Sequence, residues 1–220
     1  MNKLILSLVL SSTLVACGGS DSVDISPPTP TPDPTPVPEL AADVCYLMET
    51  SMGKVKLAID LTNTPITGQN FKQYVDAGFY DGMIFHRVIE QFMAQTGGFT
   101  PGLVSKEGRG PIVNESDVGI SNTRGTLAMA RTSSPNSATS QFFINAVDND
   151  FLDKENAPDG VGYAVFGQVI EGMEDVMDQI DIVDIDDAKD PNGINYGDVP
   201  VEDIVINKIA ETVCPSAYTD

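Results

Sequence analysis

The segment "FHRVIEQFMAQ" at residues 85–95 places Arg87 among apolar side chains, in a chain that has only four arginines. An arginine near a strand end commonly lays its stem along apolar surface and sends its charge to solvent. The other interpretation is a cation fixed at the floor of an apolar groove. There, its permanent and planar charge can stabilise a lone pair or charge that develops in a transition state. The segment alone leaves both interpretations open.

The neighbouring His86, the single histidine of the chain, could act as a general base or bind a metal ion. No second histidine, and no cysteine or carboxylate at a metal-ligand spacing, accompanies it, so a structural histidine is favoured. Residues 187–199 faintly resemble a calcium loop, but Ala188 and Val199 occupy its first and last ligand positions. We therefore expect no metal and no cofactor, and we interpret residues 181–198 as a solvated acidic loop.

The elements that must position Arg87 follow a pattern of many short strands and two separated helices. Residues 64–78 predict a helix that starts at Pro65 and stops at Gly78. Residues 173–180 repeat apolar side chains at i, i+3, i+4 and i+7, which predicts an amphipathic helix. Short strands are predicted at residues 54–60, 125–131, 141–145, 163–170 and 203–209. This pattern favours a mainly β fold, a closed barrel with helices over its open ends.

The formal net charge of −20 at pH 7 excludes several classes of partner. A surface this acidic repels phosphate backbones and anionic lipid headgroups, so we expect no nucleic-acid partner. The hydrophobic fraction of 41% is enough for a packed core and argues against global disorder.

Residues 1–16 have the organisation of an export signal. Lys3 supplies a positive start, and residues 4–15 form an apolar run that is too short to span a bilayer comfortably. Residues 14–17, "LVAC", resemble the lipobox of bacterial lipoproteins, in which cleavage precedes a cysteine that is then acylated. We expect Cys17 to be that acylated residue. The alternative is an ordinary cleavage site beside a stray cysteine.

Residues 17–43 follow as a lipidated amino terminus and a proline-rich linker. The prolines fix φ, remove backbone donors and disfavour helix in the preceding residues, which predicts a semi-rigid polyproline II spacer. Fully extended, residues 18–43 reach roughly 80 Å, enough to hold a folded domain away from a membrane. A proline-rich ligand for another protein module is the weaker alternative.

Three longer blocks carry a resemblance to a known family: "YDGMIFHRVIEQFMAQTGG", "GTLAMARTSSPNSATSQFFIN" and "GYAVFGQVIEGM". In this order they resemble the cyclophilin family of peptidyl-prolyl isomerases, and above all its bacterial periplasmic members. The resemblance runs from about Val44 to Ile209. It implies an isomerase domain at residues 44–214, built as an eight-stranded antiparallel barrel capped by two α-helices, with a groove on its outer face. A short tail follows at residues 215–220.

The resemblance also implies roles for residues along that groove. Arg87 matches the catalytic arginine of the family, and Gln95 matches the glutamine that orients it. Nine further residues match the proline pocket, its rim and the segment that binds the substrate backbone: Phe92, Met93, Ala130, Arg131, Gln141, Phe143, Phe151, Leu152 and Tyr163. Phe151 stands where many eukaryotic members have a tryptophan, and Tyr163 where many have a histidine. Both differences put tight cyclosporin binding in doubt.

The activity that the resemblance implies is peptidyl-prolyl cis-trans isomerisation, in which Arg87 stabilises the twisted amide and no cofactor is required. The expected substrates are unfolded or flexible proline-containing polypeptides of the cell envelope. Some cyclophilin-like domains have lost catalysis and serve as scaffolds or chaperone-like holders, which is the alternative function. The presence of Arg87, Phe92, Gln95 and Phe143 favours an enzyme.

Cys45 and Cys214 flank the first and last strands of the implied barrel, which are neighbours in the family fold. An exported compartment permits disulfides, so we predict a Cys45–Cys214 bridge, with two separate thiols as the alternative. Acylation at Cys17 implies a periplasmic domain anchored by lipid in the envelope of a Gram-negative-type bacterium, and we expect the protein to be a monomer. Gly18, and not an aspartate, follows this cysteine, which favours the outer membrane.

Overall fold

A computed structural model describes residues 38–215 of the 220-residue chain. The predictions for the signal peptide at residues 1–16, for acylation at Cys17 and for the linker as far as residue 37 lie outside the described residues. Within residues 38–215, no helix is both long enough and apolar enough to cross a membrane.

The described part of the chain is mainly β. Its strands are β1 Val44–Thr50, β2 Gly53–Ile59, β3 Arg87–Ile89, β4 Met93–Thr96, β5 Phe99–Thr100, β6 Val104–Ser105, β7 Thr126–Met129, β8 Phe142–Asn145, β9 Val165–Glu171, β10 Ile185–Lys189, β11 Asn195–Pro200 and β12 Ile206–Thr212. Eight of them form one antiparallel sheet in the order β12-β1-β2-β9-β7-β8-β4-β3. The other four form two small hairpins, β5–β6 and β10–β11. The predicted mainly β fold is confirmed.

The sheet curls until its two edges meet just before β3 and β12. One β-bridge joins Ile84 to Val205 across this seam. The Phe85 N–H donates to the Ile204 carbonyl at 3.0 Å, and the Ile206 N–H donates to the Met83 carbonyl at 2.7 Å. The barrel is therefore closed by a few hydrogen bonds at one point, and not by a full ladder between the edge strands.

The first helix, α1 Pro65–Asp76, lies where the sequence predicts it. Its apolar face buries Phe71, whose ring packs edge-on against Phe142 at 5.3 Å between centroids. The carboxylate of Glu115, from a distant loop, accepts the Thr67 N–H at 2.8 Å and so satisfies a free donor of the first turn. Gly78 ends this region with φ +61°, a conformation that glycine adopts without strain.

The second predicted helix is present but irregular. Residues Met173–Met177 form a π-helical turn that continues into α2 Asp178–Asp181. Val176, Met177 and Ile180 are buried, as the predicted apolar face requires. The strands predicted at 54–60, 125–131, 141–145, 163–170 and 203–209 are all present, with ends shifted by at most about three residues.

The interpretation of residues 181–198 as a solvated acidic loop is wrong, because much of this segment is strand. Strands β10 and β11 pair there as an antiparallel hairpin. Every side chain of β10 is exposed except that of Ala188, which is half-buried, so this strand lacks the apolar alternation by which a strand is recognised in a sequence. The hairpin packs through Val199, which lies in an apolar cluster with Ile84, Phe99 and Leu103.

A disulfide joins Cys45 in β1 to Cys214, just after β12. The two Cα atoms are 5.2 Å apart although 169 residues separate them in the chain. This is possible because β1 and β12 are paired, with Cys45 opposite Thr212. The bond ties the first strand of the domain to the last.

Candidate active site

The outer face of the barrel carries a row of side chains that begins at Arg87. In the register of the sheet, Arg87 faces Gln95 on β4, and Gln95 faces Phe143 on β8. Phe143 in turn faces Ala128 on β7. Directly paired residues of an antiparallel sheet point to the same face. The residues between them, such as Ala94 and Ile144, point inward to the barrel core.

The apolar end of this row, Phe143 and Ala128, belongs to a second apolar cluster that is separate from the barrel core. Its buried members are Met93, Ala128, Phe143, Leu152 and Val165. An apolar patch on the outside of a sheet needs cover, and loops supply it on one side. The turn Asp150–Leu152 holds Leu152 in place, and the Tyr163 N–H donates to the Leu152 carbonyl at 3.0 Å. The other side of the patch stays open as a depression.

The depression has a cavity volume of about 140 Å³. A volume of that order accommodates a single small ring. Its nine lining residues all belong to the eleven-residue site predicted from the sequence: Arg87, Phe92, Met93, Gln95, Ala130, Arg131, Phe143, Leu152 and Tyr163. Gln141 borders two adjoining depressions. Phe151 is half exposed and packs against Phe92, with 5.5 Å between ring centroids. The fold thus brings the predicted site residues together.

Arg87 combines access to the depression with a charged partner. Its side chain is 41% exposed, and its Nε lies 3.4 Å from Oδ2 of Asp198 on β11. Asp198 is not among the predicted site residues, because the sequence pattern predicts a solvated loop for the acidic stretch at residues 181–198. Tyr196 inside that stretch and Val199 directly after it are the apolar signal in the sequence that it packs against the domain.

Gln95 does not hold Arg87 as the resemblance implies. Its side-chain amide donates instead to the side-chain oxygen of Gln141 at 2.9 Å. Arg87 and Gln95 are neighbours by strand register, yet the hydrogen bond of the guanidinium goes to Asp198. The side-chain hydrogen bond that the Arg87 guanidinium makes within residues 38–215 is therefore with the hairpin.

The Ala130 N–H and the Arg131 guanidinium are already engaged in hydrogen bonds. The Ala130 N–H donates to the Gln141 carbonyl at 3.0 Å. The Arg131 side chain is only 3% exposed, and its guanidinium pairs with Asp159 at 2.6 Å and stacks on the Tyr163 ring. The hydrogen bond from Arg131 lowers the pKa of the Asp159 carboxyl. Arg131 thus builds the wall of the depression and carries no free charge into it.

His86 is buried beneath this region, with its ring 4.8 Å from that of Phe99. Burial lowers the pKa of His86 to about 4, because the imidazolium loses its hydration, and the charge of Arg87 acts in the same direction. No group of three or more His, Cys, Asp or Glu within residues 38–215 is arranged to hold a metal ion. The geometry matches a structural, neutral histidine.

Comparison with known proteins gives a consistent family. The family model for cyclophilin type peptidyl-prolyl cis-trans isomerases matches residues 45–211. A peptidyl-prolyl cis-trans isomerase of Acinetobacter baylyi is 53% identical over 139 residues, covering 63% of this chain and 72% of the relative. Peptidyl-prolyl cis-trans isomerase B of Escherichia coli is 48% identical over 161 residues, covering 73% of this chain and 94% of the relative.

Solved structures give the same fold. The crystal structure of a cyclophilin type peptidyl-prolyl cis-trans isomerase of Cryptosporidium parvum superimposes with a TM-score of 0.64 at 24% identity. The match covers 78% of this chain and 99% of that one.

Proposed function

The chain belongs to the cyclophilin-type peptidyl-prolyl cis-trans isomerase family, and from this membership we propose that Arg87 performs catalysis by stabilising a twisted X-Pro amide over the apolar depression. Relatives that share about half of their aligned residues with this chain are named peptidyl-prolyl cis-trans isomerases, and the chain is an enzyme of that family. The observation that carries the proposal is the placing of Arg87 on the rim of the pocket that Phe92, Met93 and Phe143 line.

The chemistry requires no bond to be made or broken. Rotation about a peptide bond is slow because resonance makes the C–N bond partly double, with a barrier of about 18–20 kcal/mol. In the twisted transition state the proline nitrogen becomes pyramidal and regains a lone pair. A guanidinium donor aimed at that nitrogen stabilises the twisted amide more than either planar isomer. Only such differential binding accelerates the step.

The depression supplies the grip for this rotation. Phe143 is 5% exposed and packs edge-on against Tyr163, so the wall against which a proline ring would lie is rigid. While the ring is held, the acyl side of the bond is free to turn in the open part of the groove. Apolar surroundings also strengthen a hydrogen bond from Arg87.

Replacing Arg87 tests the proposal. We expect Arg87→Ala to lower the turnover of a proline-containing peptide by about a hundredfold to a thousandfold with the fold intact. Arg87→Lys should be impaired as well, because an ammonium lacks the planar array of donors. Arg124→Ala is the matched control, since Arg124 pairs with Asp178 outside the depression. Turnover is measured by exchange NMR and folding by circular dichroism.

A native rate in Arg87→Ala would overturn the catalytic assignment. The chain would then act as a binding module that holds proline-containing segments without isomerising them. Suppression of the aggregation of an unfolded client protein tests that alternative directly. Holding requires only the apolar depression, so under the alternative Arg87→Ala suppresses aggregation as well as the native protein.

We further propose that the enzyme acts on unfolded or flexible polypeptides of a bacterial envelope, as a monomer anchored through an acylated Cys17. Three features of the sequence support this location: the apolar run before Cys17, the "LVAC" motif and the proline-rich spacer. Mass spectrometry of the mature amino terminus should find a lipid on Cys17, and Cys17→Ser should leave the membrane fraction or remain unprocessed. An unlipidated mature terminus beyond Cys17 would contradict the anchor.

A further inference from the structure

We propose that Asp198 is a positioning residue for Arg87, which sets the guanidinium at the rim of the proline pocket. This inference rests on the proposed catalytic role of Arg87. Within residues 38–215, Asp198 is the only side chain that accepts a hydrogen bond from the guanidinium. It takes that bond from Nε, which leaves the two terminal nitrogens of the fork for a substrate.

A β-bulge directs Asp198 toward the arginine. In the β10–β11 register, Asp186 faces Val199 and Ala188 faces Tyr196. Gly197 and Asp198 together therefore oppose a single residue, Asp187, so β11 carries one extra residue. Bulges of this kind recur beside active sites, where they change the direction of a side chain.

The bulge has a visible effect on which side chains pack inward. In a regular strand, Tyr196 and Val199 would point to opposite faces, because they are three residues apart. Here both join the same apolar cluster: Val199 is 6% exposed, and the Tyr196 ring lies 5.1 Å from that of Phe99. The two anchors hold Asp198 between them, so its carboxylate is carried by a packed element and not by a free loop.

The backbone of Asp198 also marks the position as special. Its φ is +60°, in the left-handed region that few residues other than glycine, asparagine and aspartate adopt readily. An exposed ion pair contributes little to stability, and the two side chains here are 41% and 38% exposed. A stabilising contact alone therefore gives little reason for an aspartate in a left-handed conformation at this place. Placement of the catalytic guanidinium does give one.

The guanidinium of Arg87 lies between the proline pocket and the β10–β11 hairpin. Arg87 borders the depression lined by Phe92, Met93 and Phe143, and it also borders a second depression lined by Tyr196 and Gly197. Asp198 is not among the residues that line the first depression, so the hairpin contacts the arginine from outside the proline pocket. A carboxylate in that position limits the rotamers of Arg87 without occupying the substrate site.

The test uses two variants whose backbone suits a positive φ. Asp198→Asn removes the charge and keeps the conformation, and Asp198→Gly removes the side chain entirely. Asp187→Asn is the matched control, because it makes the same charge change on the opposite strand without touching Arg87. We expect kcat to fall by about three- to tenfold in Asp198→Gly, less in Asp198→Asn, and not at all in the control. KM should change little, since Arg87 acts on the transition state.

Two further measurements separate positioning from a structural role. The NMR signal of the Arg87 Nε–H, identified by its loss in Arg87→Lys, should shift in both Asp198 variants and stay in place in Asp187→Asn. In an Arg87→Lys background, Asp198→Gly should lose most of its effect on kcat, because the Nε donor is already gone.

The outcomes are distinct from those that test the proposed function. Native or raised kcat in both Asp198 variants, together with an inactive Arg87→Ala, would overturn the positioning role and leave the catalytic role of Arg87 standing. A raised kcat would mean that Asp198 competes with the substrate for Arg87. A native rate in Arg87→Ala itself would overturn both.

Discussion

Gln95 and Gln141 form a hydrogen-bonded pair on the floor of the groove, with the Gln95 amide donating to the Gln141 oxygen at 2.9 Å. The pair lies beside Arg87 without binding its guanidinium, which is held by Asp198. The orientation of both amides is thereby set, and one N–H of Gln95 and both of Gln141 remain for a substrate.

This arrangement predicts a modest effect of Gln95→Ala. The variant removes a single neutral hydrogen bond and should lower kcat/KM by about fivefold, equivalent to about 1 kcal/mol. The loss should be much smaller than that of Arg87→Ala, and steady-state kinetics of the two variants provide the comparison. Equal losses in both would show that Gln95 orients Arg87 during catalysis after all.

Phe143→Ala should act mainly on substrate binding. The ring contacts a bound proline in the ground state and in the transition state alike, so KM should rise more than kcat falls. Loss of this apolar contact should lower kcat/KM by about ten- to a hundredfold. Because Phe143 is buried, Phe143→Leu and thermal unfolding of both variants control for lost stability. A pure kcat effect would contradict the grip assigned to the ring.

His86 should make stability depend on pH. Its folded pKa is about 4, against 6.5 for the unperturbed side chain, so the unfolded chain binds the extra proton between these values. The free energy of unfolding should therefore fall as the pH is lowered from about 6.5 to about 4, by about 3 kcal/mol in total. Urea unfolding of the native protein and of His86→Leu at several pH values isolates this contribution. Parallel curves for the two proteins would refute it.

Reduction of the Cys45–Cys214 disulfide should weaken the domain. The bond closes a loop with a sequence separation of 169, for which the chain-entropy model gives about 5 kcal/mol. Urea unfolding with and without reductant measures the loss, and a Cys45→Ser/Cys214→Ser double variant should be insensitive to reductant. If thiol titration of the unfolded, unreduced protein finds both cysteines free, the bond does not form in solution.

Cyclosporin should inhibit the enzyme weakly. Phe151 has no indole N–H, so it cannot donate the hydrogen bond that a tryptophan could make there, and such a loss costs about 1–3 kcal/mol. Its ring is 48% exposed at the rim, so the larger tryptophan fits without repacking the core. Phe151→Trp should therefore tighten inhibition by about tenfold or more. Tight inhibition of the unaltered protein would show that this one contact does not determine the affinity for cyclosporin.

Local sequence patterns predicted those elements whose burial is periodic. The apolar face of α1 and the inward residues of β2 repeat with helical and strand spacing, and both lie where expected. The β10–β11 hairpin is not predicted by the sequence, because its side chains are mostly exposed and many are acidic. They therefore show no apolar periodicity of a strand. The residues of the site are predicted by the family resemblance and not by any local pattern. The fold brings nearly all of them together around one depression.

Two details of the site depend on tertiary packing that no local pattern carries. Gln95 could reach either Arg87 or Gln141, and the choice is made by rotamers that depend on neighbouring strands. The contact between Asp198 and Arg87 spans 111 residues and depends on one extra residue in β11. Such a bulge has no signature in an acidic, exposed strand.

The covalent link between Cys45 and Cys214 also determines how the domain carries mechanical load. A pull on the amino-terminal side that has freed residues 38–43 from their contacts acts on β1, which lies between β12 and β2. Force along a strand loads its ladder of hydrogen bonds together, and the sulfur bridge passes part of that force directly to β12. Stripping β1 from the barrel then requires the rupture of a covalent bond. Tension that reaches Cys45 is therefore shared covalently between the first and the last strand of the domain.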